Sequence, residues 1–375
     1  MGHELEANSR LADREAILLA PYAMHSCDSA GREHAELDHP YRGPFQRDRD
    51  RIVHSSAFRR LAHKTQVFTG QFGDYHRSRL THTLEVASIA RTIGRELRLN
   101  EDLIEALALM HDVGHPPFGH AGEKVLDACC RDCGGFDHNR HAVRIVTLLE
   151  QRYPEFPGLN LSREVLWGQQ TRIEKSIVQP LLEIQVVDAA DSIAYDTHDA
   201  DDALELGLLD LETLLGVRLW REAAENIRSK YLGLDTSTLR RAVIHRLIET
   251  LVSDLVESTR ERLEQSHISS PTEVGSHSER LVAPSEGMSV RKRELEAFLF
   301  ERVYRHPKVL AERTIAENAL SDLFSHYCQN SDQLPSKFQA RLAVDGTARG
   351  VCDYLSSMTD RFALSLMEDH PGTKH

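Results

Sequence analysis

Apolar residues recur at helical spacing almost without a break from about residue 50 to 263, and no run of period-two alternation competes with them. A chain patterned in this way must bury helix stripes against one another, so the predicted fold class is all-α. The clearest helical segments are 81–97, 102–111, 141–151, 181–204 and 239–262. Turn residues separate them: Gly70 with Gly73, Gly114 with Pro116 and Pro117, Gly134 with Gly135, and Pro154 with Pro157 and Gly158. Residues 1–40 are polar apart from a short helical stretch at 14–19, and read as a loosely ordered N-terminal arm. The helical core is 41–263. From 264 to 290 the chain turns to Ser, His, Glu, Pro and Gly, the composition of a mobile loop or linker. Periodicity resumes at 291 and defines a C-terminal helical part, 291–375, packed on the core.

Polar residues interrupt the apolar stripes where water is not expected. Val86, Ile89, Ile93 and Leu97 follow His82 at helical spacing, so His82 projects from the buried side of its helix. His111 continues the face of Ile104 and Ala108, and Asp112 follows it directly. A single buried histidine is an ordinary hydrogen-bonded core residue. A buried aspartate costs on the order of several kcal/mol unless it is paired or ligates a metal. A third helix, 185–199, sets Asp188, Asp191, Tyr195 and Asp199 on one face. Val186, Val187, Ala189, Ala190, Ile193 and Ala194 surround that face, which argues against a merely solvated acidic stripe. His82, His111, Asp112 and one Asp of this helix would give two imidazole and two carboxylate ligands. Such a set suits Mn, Fe, Co, Ni or Zn, and a carboxylate-rich site also takes Mg.

Charge narrows the function further. Asp and Glu outnumber Lys and Arg by 58 to 45, a net −13, which disfavours binding duplex nucleic acid over the general surface. Locally the balance reverses, with seven Arg or Lys and two Asp between residues 42 and 64. Nine of the 21 His lie between 54 and 141. A basic strip beside a dense His and Asp region predicts a small anionic ligand near a metal. The longest apolar runs are far short of a membrane span, and the first residues do not resemble a signal peptide. Six cysteines at irregular positions make no disulfide framework, so the expected location is cytoplasmic. Cys129, Cys130 and Cys133 are close in sequence, but no partner cluster completes a metal or redox motif, and free thiols are the expectation.

His82, the His111–Asp112 pair and the late Asp resemble the HD-domain phosphohydrolases. More narrowly, the chain resembles the deoxyguanosine triphosphate triphosphohydrolase (dGTPase) family. The resemblance rests on DRDRI at 48–52, FRRL at 58–61, KTQV at 64–67, RLTHTLEV at 79–86 and HDVGHPPFGHAGE at 111–123. It continues through VDAADSIAY at 187–195, VYRHP at 303–307 and MTDRFAL at 358–364. A bare His-Asp dipeptide says almost nothing, whereas this ordered series is highly specific.

The resemblance implies an all-α, metal-dependent hydrolase built on an HD-domain helical core with additional C-terminal helices. It would cleave a deoxynucleoside triphosphate (dNTP) at the α-phosphorus, giving a deoxynucleoside and triphosphate. His82, His111, Asp112 and Asp191 become the implied metal ligands, with Asp188 the alternative to Asp191, and Mg or Mn the leading metals. His120 and Glu123, one turn apart after the Pro116–Pro117 break, are the implied catalytic pair. Arg59, Arg60 and Arg79 are candidate phosphate contacts, and His115 and His138 candidate phosphate or turn residues. Gln66 and Tyr195 match positions that contact the deoxyribose, with Tyr195 rejecting a 2′-hydroxyl, and Asp199 is placed to meet the 3′-hydroxyl. The resemblance further implies a homo-oligomer, often a hexamer in the family, and an activating nucleotide. Rival readings are another HD nucleotidase or phosphodiesterase, and a sensor of nucleotide or single-stranded nucleic acid. Two departures stand out: Met110 replaces a usual Gly, and Gln169-Gln-Thr-Arg172 stands where many members carry Lys-His.

Overall fold

A computed structural model of the chain describes residues 2–66, 77–174 and 178–369. Gly70, Gly73 and the Val67 end of the KTQV motif lie outside the described residues. Helices α1 (Gly2–Leu18), α2 (Pro44–Val53) and α3 (Ser56–Arg60) precede α4 (Arg79–Glu96), α5 (Glu101–Met110), α6 (Gly119–Cys129), α7 (His138–Arg144), α8 (Arg163–Ile173) and α9 (Leu182–Glu205). α10 (Leu211–Leu214), α11 (Arg218–Lys230), α12 (Thr236–Gln265) and α13 (Pro271–Ser276) follow. The chain ends in α14 (Glu286–Leu299), α15 (Pro307–Gln329), α16 (Ser336–Gln339), α17 (Leu342–Asp345), α18 (Thr347–Ser356) and α19 (Asp360–Asp369). No strand occurs among the described residues, and the fold is all-α.

Side-chain caps set where the central helices begin. The Ser78 hydroxyl accepts from the Thr81 amide at the start of α4, and the Asn100 carbonyl oxygen accepts from the Leu103 amide at the start of α5. Each such cap contributes about 1 kcal/mol. α4, α5 and α9 pack on one another, and the α4 stripe of Val86, Ile89 and Ile93 is fully buried in the main core. A second core gathers α6, α15, α18 and α19 around Phe118, Leu126, Leu320, Phe324 and Leu355. The C-terminal helices therefore close on α6 rather than forming a detached lobe. Cys130 and Cys352 are buried in this second core, and all six cysteines are free thiols.

Three sequence expectations change here. The 264–290 stretch is not a mobile linker: it contains α13, buries Val274, Leu281 and Val282, and gives the Leu281 and Val282 amides to the Gln185 side-chain oxygen. Its few apolar residues are spent at buried positions, which average composition hides. The arm is also tied down. Glu15 accepts from Ser26, Glu164 from Ser29 and Ala30, and Glu183 from the Met24 amide at 2.9 Å and the Asn100 amide at 3.2 Å. The basic strip is largely structural, because Arg42 pairs with Asp50, Arg49 with Asp50 and Glu105, and Arg47 and Arg51 with Glu36. Among the described residues no helix is long and apolar enough to cross a membrane.

Glu183 is fully buried and anchors both the arm and the α5 cap. Glu183→Ala leaves two buried amides without an acceptor, each costing about 1–3 kcal/mol. Urea unfolding should show a loss on the order of 2–4 kcal/mol, with the arm cut first in limited proteolysis.

Candidate metal centre and active site

The buried faces of α4, α5 and α9 meet at three side chains. His82 comes from the first turn of α4, His111 caps the end of α5, and Asp191 lies midway along α9. Their ligand atoms all fall within 4.8 Å of one another. His82 Nε2 is 3.1 Å from Asp191 Oδ1, and His111 Nε2 is 3.7 Å from the same oxygen. Asp188, one turn earlier, is drawn away by Arg172 at 2.8 Å and Arg280 at 2.9 Å. Asp191, not Asp188, therefore joins the histidines.

The donor set fits a divalent cation. His111 Nδ1 lies 2.6 Å from the Ala108 carbonyl, which must accept its proton, so the Nε2 lone pair faces inward. That lone pair confronts Asp112 Oδ1 at 3.5 Å and Asp191 Oδ1 at 3.7 Å. Electron pairs so opposed in a buried site repel unless a cation sits between them. Burial pushes the His111 imidazole below its usual range, which keeps it neutral as a ligand must be. Burial would raise the Asp191 carboxyl, but the hydrogen bond from His82 and the Arg172 guanidinium hold it well below the usual range. Asp112 stands at the edge of the trio. Its Oδ1 is 3.1 Å from His115 Nε2 and its Oδ2 3.0 Å from Arg79 Nη1.

A polar chain leads from this centre to the cavity mouth. His115 stacks on His138 with ring centroids 3.9 Å apart. Glu123 Oε1 accepts from the His138 amide and ring Nδ1, both at 2.8 Å, and Glu123 Oε2 lies 3.2 Å from His120 Nδ1. Burial would raise the Glu123 carboxyl, yet the bonds from His120 and His138 hold it far below its usual value. His120 is exposed, leaving Nε2 open to the cavity. Two glycines permit this approach. A Cβ on Gly114 would meet the His138 carbonyl at 2.0 Å, so α7 lies directly on the metal turn. Phe118 and Gly119 have φ of +63° and +55°, and a Cβ on Gly119 would come 2.8 Å from Arg79 Nη2.

The cavity beside the centre encloses about 530 Å³. Of the candidate site residues, Gln66, Arg79, His115, His120, His138 and Tyr195 line it. Other expectations fail on geometry. Arg59 is exposed, and Arg60 lines a separate cleft with His141 and Lys337, because α3 directs both side chains away from the cavity. Asp199 does not reach the cavity wall: Tyr304 crosses in front of it and donates its hydroxyl to the Asp199 carboxylate. Burial pushes Asp199 up to about 7. Arg79 is not a free phosphate donor, since Asp112 and the Gln66 carbonyl occupy it.

Sequence reasoning missed Arg172, Tyr304, Arg305 and Arg313, all on the cavity wall. Arg172 was visible in the departing Gln169–Arg172 stretch. There Gln169 also bonds Asn139 at 2.8 Å and the His111 carbonyl at 3.4 Å. Tyr304 ends a π-helical turn at Phe300–Tyr304. Such turns recur at functional sites, and the VYRHP match at 303–307, which had been given no role, was the signal that contained Tyr304 and Arg305.

Comparison with known proteins agrees with this layout. Residues 79–196 match the HD domain family and 281–369 the phosphohydrolase-associated domain. A "deoxyguanosinetriphosphate triphosphohydrolase-like protein" of Geobacter sulfurreducens is 47% identical over 358 residues, covering 92% of this chain and 93% of the relative. Proteins described in the same words are 40% identical in Leptospira interrogans, covering 96% of this chain and 98% of that one, and 45% identical in Thiobacillus denitrificans, covering 92% and 95%. A solved structure, titled a hypothetical protein from Aquifex aeolicus, aligns at TM-score 0.33 and 18% identity over 77% of this chain and 79% of that one, too loosely to carry an argument. The HD match and the His/Asp cluster together indicate a divalent metal.

The raised Asp199 gives a pH signature. Its folded state holds a proton that the unfolded chain, with the ordinary aspartate value of 3.8, releases first. Stability should therefore fall as pH rises from about 4 to about 7 and level off above, since the native state binds more protons across that window. Denaturation of Asp199→Asn across this range should show a shallower slope than the parent. An unchanged slope would mean that Asp199 ionises normally.

Proposed function

From the premise that the chain belongs to the deoxyguanosinetriphosphate triphosphohydrolase-like family of HD-domain phosphohydrolases, we propose that it hydrolyses a dNTP at the α-phosphorus. The products are a deoxynucleoside and triphosphate. The observation that carries this reading is the placement of a two-histidine, one-carboxylate centre at the base of a cavity whose walls hold His120 with Glu123 on one side and Tyr195 with Arg305 and Arg313 on the other. The HD histidines, Asp191 and neighbouring Asp112 would hold Mg or Mn. When bound, such an ion polarises a phosphate oxygen and supports a nucleophilic water.

The chain's own groups do the rest. A water adds to the α-phosphorus, the bond to the 5′-oxygen breaks, and the departing alkoxide needs a proton. His120 is the group that can deliver it from Nε2, because Glu123 fixes its other nitrogen. Glu123 in turn is oriented by His138, whose ring is held by His115. Phosphate charge is offset by Arg313, which has no ion-pair partner among the described residues, with Arg305 beside it. Tyr195 packs against Tyr304 with ring centroids 5.9 Å apart and forms a rigid wall for the sugar. A wall without give at the 2′ position rejects a ribose by contact rather than by hydrogen bonding.

The test is a product assay with each dNTP and with GTP, in Mg or Mn, resolved by anion exchange. Deoxynucleoside and intact triphosphate should appear and vanish in His111→Ala; pyrophosphate or single phosphate would move the enzyme to another HD class. His120→Ala should lower kcat by about 10²–10⁴-fold. Tyr195→Ala should raise turnover of GTP relative to dGTP, and an unaltered ratio would remove Tyr195 from sugar discrimination.

A further inference from the structure

One C-terminal contact reaches across more than 240 residues of sequence to the turn that carries the active-site histidines, and a second reaches Lys64, which is itself bonded to that turn. Asp360, the first residue of α19, is buried. Its Oδ2 accepts from the Thr65 amide at 3.0 Å and the Thr65 hydroxyl at 2.5 Å, and its Oδ1 from the Phe118 amide at 3.0 Å. Lys64, the residue before Thr65, is buried too, and its ammonium donates to the His115 carbonyl at 2.5 Å and the Ser356 carbonyl at 2.8 Å. One acid on the C-terminal side and one base on the core side thus hold the same turn at both ends, His115 and Phe118.

That turn needs holding. Phe118 is a bulky residue in the left-handed region, Gly119 repeats the positive φ, and the cap position of α6 has no side-chain bond of its own. His120 follows immediately, so the direction of its ring is set by the backbone that Asp360 grips. Thr65 is followed by Gln66, whose carbonyl receives Arg79 Nη2 at 3.3 Å, and Arg79 in turn holds Asp112. A single carboxylate therefore fixes the His120 turn and the wall that orients Arg79.

We propose that Asp360 is a positioning residue for the reaction, acting through the Phe118 amide on His120, and that the C-terminal helices are a working part of the active site. This rests on the hydrolase reading above. Asp360→Asn keeps the shape but turns an NH₂ toward an N–H donor, so the turn loses one of its acceptors. Misplacing a catalytic group by a fraction of its reach costs on the order of tens- to hundred-fold in rate.

The experiment is a cycle of Asp360→Asn, His120→Ala and the double variant in the full chain, with kcat, KM, bound metal and Tm measured for each. The expected result is a fall in kcat of about tenfold or more for Asp360→Asn, with KM and metal content little changed. In the His120→Ala background the same substitution should cost almost nothing, because the group it positions is gone. Additive losses, or a loss confined to Tm, would overturn the proposal. If Asp360→Asn fails to fold, Thr65→Val removes the hydroxyl bond alone and is read in the same cycle. If the parent protein hydrolyses no dNTP, the proposed function falls, and amide exchange decides the positioning separately. Faster exchange of the His115, Phe118, Gly119 and His120 amides in Asp360→Asn at retained Tm supports it, and unchanged exchange refutes it.

Discussion

Asp191 places a carboxylate at the base of the cavity, facing two imidazole nitrogens, with the Arg172 guanidinium 3.5 Å from its other oxygen. Burying that charge costs several kcal/mol in any protein, and here hydrogen bonds alone do not settle it, because the His111 nitrogen that meets it has only a lone pair to offer. A cation resolves the conflict. The rest of the arrangement follows from keeping these three groups within a few ångströms: α4, α5 and α9 must pack directly on one another, and the turn after α5 must lie flat enough for α7 to rest on it. Gly114 meets the second demand, since any side chain there would strike the α7 backbone.

The same buried acids determine how phosphate can be recognised. Arg79 spends its guanidinium on Asp112 and Arg172 on Asp188 and Asp191, so the two arginines nearest the centre neutralise the protein's own charge. They hold the carboxylates in place and contribute little net positive charge to a ligand. Uncommitted charge enters from the far side, on α15, as Arg313. The cavity is thus split between a core that supplies the His/Asp cluster with His115, His120 and His138 and a C-terminal wall that supplies Tyr304, Arg305 and Arg313. Neither half is a complete site.

How far the residues alone reveal this depends on whether a role follows from local periodicity. His82 and His111 were legible because each sits on an apolar helical face where its presence needs a reason, whereas the face of the third helix offered Asp188 and Asp191 alike and only the family resemblance favoured Asp191. Gln66, His115, His120, Glu123 and His138 were legible through their motifs. Arg59 and Arg60 misled because a cluster of cations carries no direction: a five-residue helix turns Arg59 to solvent and Arg60 into a separate cleft. Asp199 misled for the opposite reason. Its helical face was read correctly, but Tyr304, 105 residues later, steps in front of it. The 264–290 stretch was taken as a linker because four buried apolar residues among many polar ones leave no average signal. In each case the missing information is a long-range contact, and spacing along one helix contains none.

Asp360 and Lys64 show the consequence for catalysis. A strained backbone persists only where its surroundings over-determine it. The Phe118–Gly119 turn has no capping side chain from its own helix, so its conformation must be imposed from outside. What imposes it is a carboxylate from the last helix and an ammonium from the start of the core, both buried and both bonded to backbone groups. Backbone bonding matters here, because it fixes the chain path whatever side chains the cavity carries. The active-site geometry of this fold is therefore a property of two sequence regions closed on each other, and a core cut free of its C-terminal helices would keep the metal ligands while losing the turn that aims His120.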